Sequence, residues 1–278
     1  MTERILITGG ASGLGRALAQ RYAAAGRRVL IADLHAPSEL PSGDVSFIRL
    51  DVRVPDDWEQ ARRWCETTWG GLDILVNNAG VAAAGRVERL QPEDWDWILD
   101  INLKGTVNGC RAFVPLFKRQ GSGHVVNVAS MAGLLNLPGM ASYNVSKAAV
   151  VSLSETLRQE LAPYGIHTTV VCPGFVRTNL GAGMRSPDPV LAKLADRMIQ
   201  GGKLSADQVA ERVAAAVAGG RFLVLTHPEG RRAARLKRFL PRLVDGQIAK
   251  VWRRTAAKLD AQDRQELDAQ DRQEAGTV

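Results

Sequence analysis

"RILITGGASGLG", Arg4 to Gly15, runs a short apolar stretch into glycines at 9, 10, 13 and 15. Ile5, Leu6 and Ile7 follow one another without polar alternation, which marks a strand buried on both faces, as in a parallel sheet. After Gly13 the apolar residues switch to a helical period. The loop between reads Gly-x-x-x-Gly-x-Gly at Gly9, Gly13 and Gly15. It differs from Gly-x-Gly-x-x-Gly and lacks the Gly-Lys-Ser/Thr of a P-loop. Glycine lets the backbone turn sharply and approach a pyrophosphate, and the start of the next helix offers free N–H groups to that anion. Strand, glycine loop and helix in this order open a dinucleotide-binding fold.

The rest of the chain repeats the alternation. "RVLIA", "VSFIRL", "DILVN", "HVVNVAS", "HTTVVC" and "RFLVL" read as six further strands. Helical patterns at 13–25, 55–69, 92–119, 143–162 and 206–218 separate most of them. The expected fold class is α/β, a Rossmann-like doubly wound parallel sheet of about seven strands with right-handed crossovers and a C-terminal helical extension. "LHAPSELPSG", Leu34 to Gly43, is too short and proline-broken for a full helix. Residues 177–204 read as an irregular stretch placed where a lid could sit. Residues 1–227 form the expected catalytic domain, 228–258 a basic amphipathic extension, and 259–278 a polar tail, frayed or disordered.

Composition narrows the class. With 45% hydrophobic residues among 278, the chain can bury a large core. Three cysteines without a CxxC pair fit a reducing compartment. The strand pattern begins at once, leaving no room for a signal peptide, and no run approaches a membrane span, so a cytoplasmic location is expected. Four scattered histidines form no ligand-spaced cluster, so no metal is expected. The net charge of +7 is uneven: His227 to Lys258 holds ten Lys/Arg against two acids, and the residues beyond hold two against six. The body is therefore near neutral, and nucleic acid is not an expected partner.

Several polar residues fall at strand ends, where such folds bind ligands. Asp33 closes the second strand, where a carboxylate can accept both ribose hydroxyls and repel a 2′-phosphate. Ser12 and Leu34 bring no cation there, although Arg16 could reach in. This favours NAD over NADP. Asp51 ends the third strand within reach of an adenine amine, and Asn77 to Gly80, "NNAG", make a small polar turn after the fourth. Ser130 closes the fifth strand. Thirteen residues later "SYNVSKAAV" sets Tyr143 and Lys147 at i and i+4, on one face of a helix. A phenol titrates near 10, but a neighbouring ammonium and an oxidised nicotinamide favour phenolate, which makes Tyr143 a competent proton acceptor.

Taken in order, Thr8-Gly9-x3-Gly13-x-Gly15, Asn77-Asn78-Ala79-Gly80, Asn102, Ser130, Tyr143-x3-Lys147 and Pro173-Gly174 resemble the short-chain dehydrogenase/reductase family, from about residue 3 to 227. The resemblance implies Tyr143 as general acid/base. Lys147 would lower its pKa and hold the nicotinamide ribose, Ser130 would orient the substrate oxygen, and Asn102 would anchor a water behind Lys147. It implies Gly9, Ser12, Gly13, Leu14, Gly15 and Asp33 around the adenosine half, with Asp51 and Val52 near the adenine. Asn78, Ala79, Gly80, Pro173, Gly174, Val176 and Thr178 would line the rest of the cofactor. A homodimer or homotetramer is implied too.

Residues expected around the reacting carbon are apolar: Ala132, Leu134, Leu135, Leu137, Met140, Phe175 and Met184. A neutral, hydrophobic secondary alcohol or ketone follows. No Arg or Lys is plainly aimed at a substrate carboxylate, with Arg177 and Arg185 in the lid-like stretch the two candidates, while Trp95 and Trp97 read as packing. In "GRRAARLKRFLPRLV", Gly230 to Val244, Arg231, Arg235, Arg238 and Arg242 oppose Leu236, Phe239, Leu240 and Leu243, with a break expected at Pro241. This helix would either touch an anionic membrane surface through 231–258 or pack its apolar face on protein. The rival functions are an NADPH-dependent carbonyl reductase and a non-catalytic NAD-binding sensor or scaffold.

Overall fold

A computed structural model describes residues 2–181 and 183–275. Its main sheet is built from β1 (Arg4–Thr8), β2 (Arg28–Asp33), β3 (Val45–Arg49), β4 (Ile74–Asn77), β5 (Gly123–Val128) and β6 (Ile166–Cys172). The short strands β7 (Val176–Arg177) and β8 (Leu204–Ser205) pair with each other, and β9 (Leu223–Leu225) returns to the main sheet. The seven main strands are all parallel and ordered β3-β2-β1-β4-β5-β6-β9. The order reverses between β1 and β4, so a crevice opens beyond the carboxyl ends of these two strands.

Alternation along each strand feeds two hydrophobic layers. Ile5 and Ile7 of β1 and Val29 and Ile31 of β2 face Leu18 and Tyr22 of α1 (Gly13–Ala24) on one side. Leu6, Leu30 and Leu75 face the other side. There they meet Trp58 of α2 (Pro55–Trp64), a second layer that also takes in Phe113 and Phe117 of a longer helix. Each fully buried Leu, Ile or Phe contributes roughly 1.5–3 kcal/mol, so these layers dominate the stability of the sheet.

The helical stretch expected over 92–119 is helical from Pro92 to Gln120, as α3 (Pro92–Leu99) and α4 (Gly105–Gln120) continuous through a π-helical turn at Asp100–Lys104. Thr106 Oγ1, in the first turn of α4, donates to the Asn102 carbonyl at 2.9 Å. Pro115 sits inside α4 without ending it. After β5 come α5 (Ala132–Leu135) and α6 (Ala141–Leu161). The expectation of an irregular 177–204 needs correction, because α7 (Pro189–Gln200) occupies its second half with Leu191, Ala195 and Ile199 buried at four-residue spacing. Pro189 at the first helical position starts it rather than breaking it. Leu34 to Asp44 forms no helix, as its composition suggests.

Next come α8 (Ala206–Ala218), on the α1 side of the sheet, α9 (Pro228–Phe239) and α10 (Pro241–Ala275). The chain divides into compact units at Met1–Arg231 and Arg232–Val278. The described residues of the second unit are helical, with the break at Leu240 before Pro241. Residues 276–278 of the expected tail lie outside the described residues. Among the described residues no helix is long and apolar enough to cross a membrane.

Candidate active site

The glycine loop leaves β1 and is stapled to the turn after β4. Thr8 is buried, and its Oγ1 accepts the N–H groups of Asn78 at 3.0 Å and Ala79 at 3.1 Å. Asn78 Nδ2 donates back to the Thr8 carbonyl at 2.9 Å. Gly9 and Gly13 take φ of 62° and 51°, the left-handed region that a side chain resists. A Cβ on Gly15 would stand 2.1 Å from the Gly9 carbonyl, so this approach admits only glycine. Leu14 packs partly against the α1 layer. Ser12 precedes α1 without a side-chain cap, and the first turn carries no acid, so the helix N-terminus keeps its donors and positive dipole end for an anion.

Asp33 leans over this loop, its Oδ2 accepting the Ala11 N–H at 3.0 Å. Asp51 is gripped by the Arg53 guanidinium, whose Nη2 lies 2.6 Å from Oδ2. That hydrogen bond holds the carboxyl below its ordinary range against the opposing effect of burial. The buried Val52 accepts Trp58 Nε1 at 3.0 Å through its carbonyl. The Thr178 side chain would meet a Cβ on Gly13 at 3.5 Å, which brings the segment after β6 to the loop. Cradle residues from β1, β2, β4 and the β6 exit are thus gathered at one end of the sheet.

Ser130, Tyr143 and Lys147 come together next to it. Burial lifts the Tyr143 phenol above its ordinary value near 10, and a hydrogen bond with Ser130 pulls it back. Ser130 Oγ also accepts the Ala132 N–H at 3.1 Å, which fixes the hydroxyl at the start of α5. Lys147 Nζ donates to the Val128 carbonyl at 3.0 Å and lies 5.9 Å from the Tyr143 ring centre. Burial brings its ammonium down to about 8. Asn102, from the π turn, accepts the Val81 N–H at 2.8 Å and donates to Ser146 Oγ at 3.1 Å. A Cβ on Gly80 would meet both Asn102 Oδ1, at 3.0 Å, and Lys147 Nζ, at 3.2 Å, so the two groups flank that glycine. Behind Ser130, burial pushes the Cys172 thiol up to about 12, which keeps it an inert packing group.

The family model described as short chain dehydrogenase matches residues 3–188, two thirds of the chain. The chain belongs to the short-chain dehydrogenase/reductase family. A CLA biosynthesis dehydrogenase/reductase from Lactiplantibacillus plantarum is 34% identical over 252 residues, covering 81% of this chain and 88% of that one. A short-chain dehydrogenase/reductase from Burkholderia phymatum, solved in complex with NAD, superimposes with a TM-score of 0.80 at 32% identity, covering 87% and 95% of the two chains. A 3-ketoacyl-(acyl-carrier-protein) reductase from Brucella melitensis, complexed with NADH, gives 0.70 at 29% identity, covering 81% and 97%.

In this short-chain dehydrogenase, Tyr143 sits in a small apolar cluster with Ala82, Ala83, Ile98 and Ala132, against which Met140 and Met184 pack. Leu134, Leu137 and Phe175 lie outside that cluster among the described residues. Trp97, read as packing, does pack against the cluster, and the Arg185 guanidinium stacks over its ring at 4.2 Å. The sequence reading did not single out His227, whose Nδ1 accepts the Gly174 N–H at 3.0 Å from fifty-three residues away.

Proposed function

We propose that this dehydrogenase transfers a hydride between NAD and a neutral, hydrophobic secondary alcohol or ketone. The reading rests above all on the half-buried Ser130 and the buried Tyr143 and Lys147, gathered at the carboxyl end of β5 beside the glycine cradle. The cradle fits a dinucleotide: Gly15 leaves no room for a side chain, the start of α1 is uncapped, and Asp33 stands where a ribose would arrive. When bound, NAD supplies the hydride acceptor. Tyr143 takes the alcohol proton in oxidation and returns it in reduction, Ser130 holds the reacting oxygen, and Lys147 holds the ribose.

Lys147 and the cofactor's positive ring both favour phenolate, opposing the upward pull of burial on Tyr143. Asn102, adjoining Lys147 across Gly80, would anchor the water that carries the proton onward. Pro173, Gly174, Val176 and Thr178 hold the nicotinamide in this reading, and Asp51 and Val52 border the adenine. The apolar cluster of Ala132, Met140 and Met184 supports a hydrophobic substrate. A cytoplasmic homodimer or homotetramer belongs to the same proposal. A sensor has no use for a proton-transfer set, which counts against that rival.

Titration of the purified protein with NADH and NADPH tests the proposal. NADH is expected to bind at least about tenfold more tightly, about 1.4 kcal/mol, because Asp33 repels a 2′-phosphate. Tighter NADPH would reverse the cofactor assignment in favour of a carbonyl reductase, and binding of neither would overturn the function of the glycine loop.

A further inference from the structure

His227 is buried two residues beyond β9, in register with the exit of β6, where Cys172 pairs with Leu225. The exit of β6 is the segment Pro173-Gly174-Phe175. His227 holds that segment through its backbone at two points. Nδ1 accepts the Gly174 N–H at 3.0 Å, and Nε2 lies 3.2 Å from the Phe175 carbonyl. An acceptor at Nδ1 and a donor at Nε2 define one tautomer of a neutral imidazole. Thr226 Oγ1, 2.9 Å from Nδ1, donates to the same lone pair in that state. The fit is close, since a Cβ on Gly174 would stand 3.0 Å from His227 Cγ. The segment is also tied to the proton-transfer set, because the Pro173 carbonyl accepts the N–H of Met131, the neighbour of Ser130, at 2.8 Å.

We propose that His227 is a positioning residue for nicotinamide: as a neutral imidazole it fixes the 173–175 backbone, and its protonation loosens the grip on the cofactor. This rests on the assignment of that segment to the nicotinamide. A proton on Nδ1 would face the Gly174 N–H, donor against donor, and the amide would lose its acceptor. Among the described residues, the charged groups acting on the ring are Arg212 from α8, which donates to the Thr226 carbonyl, and Glu229 at the start of α9, with Lys203 3.9 Å from Glu229. Burial, helped by Arg212, depresses the imidazole below its ordinary value against the pull of Glu229. The ring is therefore neutral at pH 7 and charges only in acid.

The test is NADH affinity from pH 5 to 8 in the wild type, His227→Phe and His227→Gln, with melting temperature recorded in parallel. Glutamine can accept from Gly174 and donate to Phe175 without titrating. The wild type should bind NADH about tenfold more weakly at pH 5 than at pH 8. His227→Phe should bind weakly at every pH. His227→Gln should keep the tight neutral value and lose the acid decline. If both variants melt alike and follow the wild-type binding curve, the inference fails while the cofactor assignment stands. If the wild type binds neither NADH nor NADPH at any pH, both fall together.

Discussion

At the residue scale, the Tyr143 pair acquires its meaning from burial. A tyrosine and a lysine one turn apart on an exposed helix would keep ordinary titrations. Here burial raises the phenol and brings the ammonium to about 8, so each is displaced toward its neutral form. Phenylalanine at 143 keeps the ring and its packing while removing the proton. Tyr143→Phe is expected to lower kcat by about 10²–10⁴-fold with NADH affinity within about twofold of wild type, read by steady-state kinetics beside a binding titration. Unchanged turnover would transfer the acid/base role elsewhere. The pair was legible from its spacing with Ser130. The direction of its shifts was not, because an i,i+4 spacing says nothing of what covers the helix.

At the element scale, the segment between β6 and α8 is latched rather than loose. Asp188, buried just before α7, accepts the Arg86 N–H at 2.9 Å and Arg86 Nη2 at 2.8 Å, with Arg89 Nη1 at 3.3 Å. Burial works to raise this carboxyl, and the bonds from Arg86 outweigh it and hold it below the ordinary range. The bridges Ala83–Arg185 and Gly85–Met140 lie in the same region. Asp188→Asn should weaken the latch by about 2 kcal/mol. Amide exchange over α7 should then quicken about thirtyfold, while β1, β4 and β5 keep their protection, as read by hydrogen-exchange mass spectrometry. Equal loss across the sheet would make Asp188 a general stabiliser instead. The sequence shows Arg86, Arg89 and Asp188 as ordinary charges, since nothing local relates positions about a hundred residues apart.

For the whole molecule, acid stability follows from buried imidazoles. His124 on β5 pairs with Thr169 Oγ1 at 2.8 Å, and burial, reinforced by His167, brings it down to about 4. Between pH 6.5 and 4 the unfolded chain takes up a proton that the folded one refuses. Stability therefore declines as pH falls through that window, by about 3 kcal/mol from this residue alone. His227 acts in the same direction. The salt-bridged carboxylates Asp51, Asp73 and Asp188 are held below 3.8 and add their losses only at lower pH. Urea denaturation at steps from pH 7 to 4 should give a shallower decline for His124→Gln than for wild type. Parallel slopes would show that His124 takes up its proton alike in the folded and unfolded states.

The sequence by itself determined the parts that depend on neighbours along the chain. The parallel α/β sheet follows from continuous apolar strands alternating with helical periods. The glycine cradle follows from a spacing that only a strand–turn–helix junction can use, and the Ser130, Tyr143 and Lys147 set follows from strand-end and helix-start positions. Tertiary structure alone decided the rest. It widened the 92–119 helix into a π turn at Asn102, whose amide is claimed by Val81 and Ser146, and it folded α7 in a stretch that read as irregular. It also placed Trp97 against the cluster that holds Tyr143, Asp188 between two arginines, and His227 behind Gly174. Each of these depends on a contact between distant positions or on burial, and a side chain's spacing in the chain does not reveal the surface that will face it.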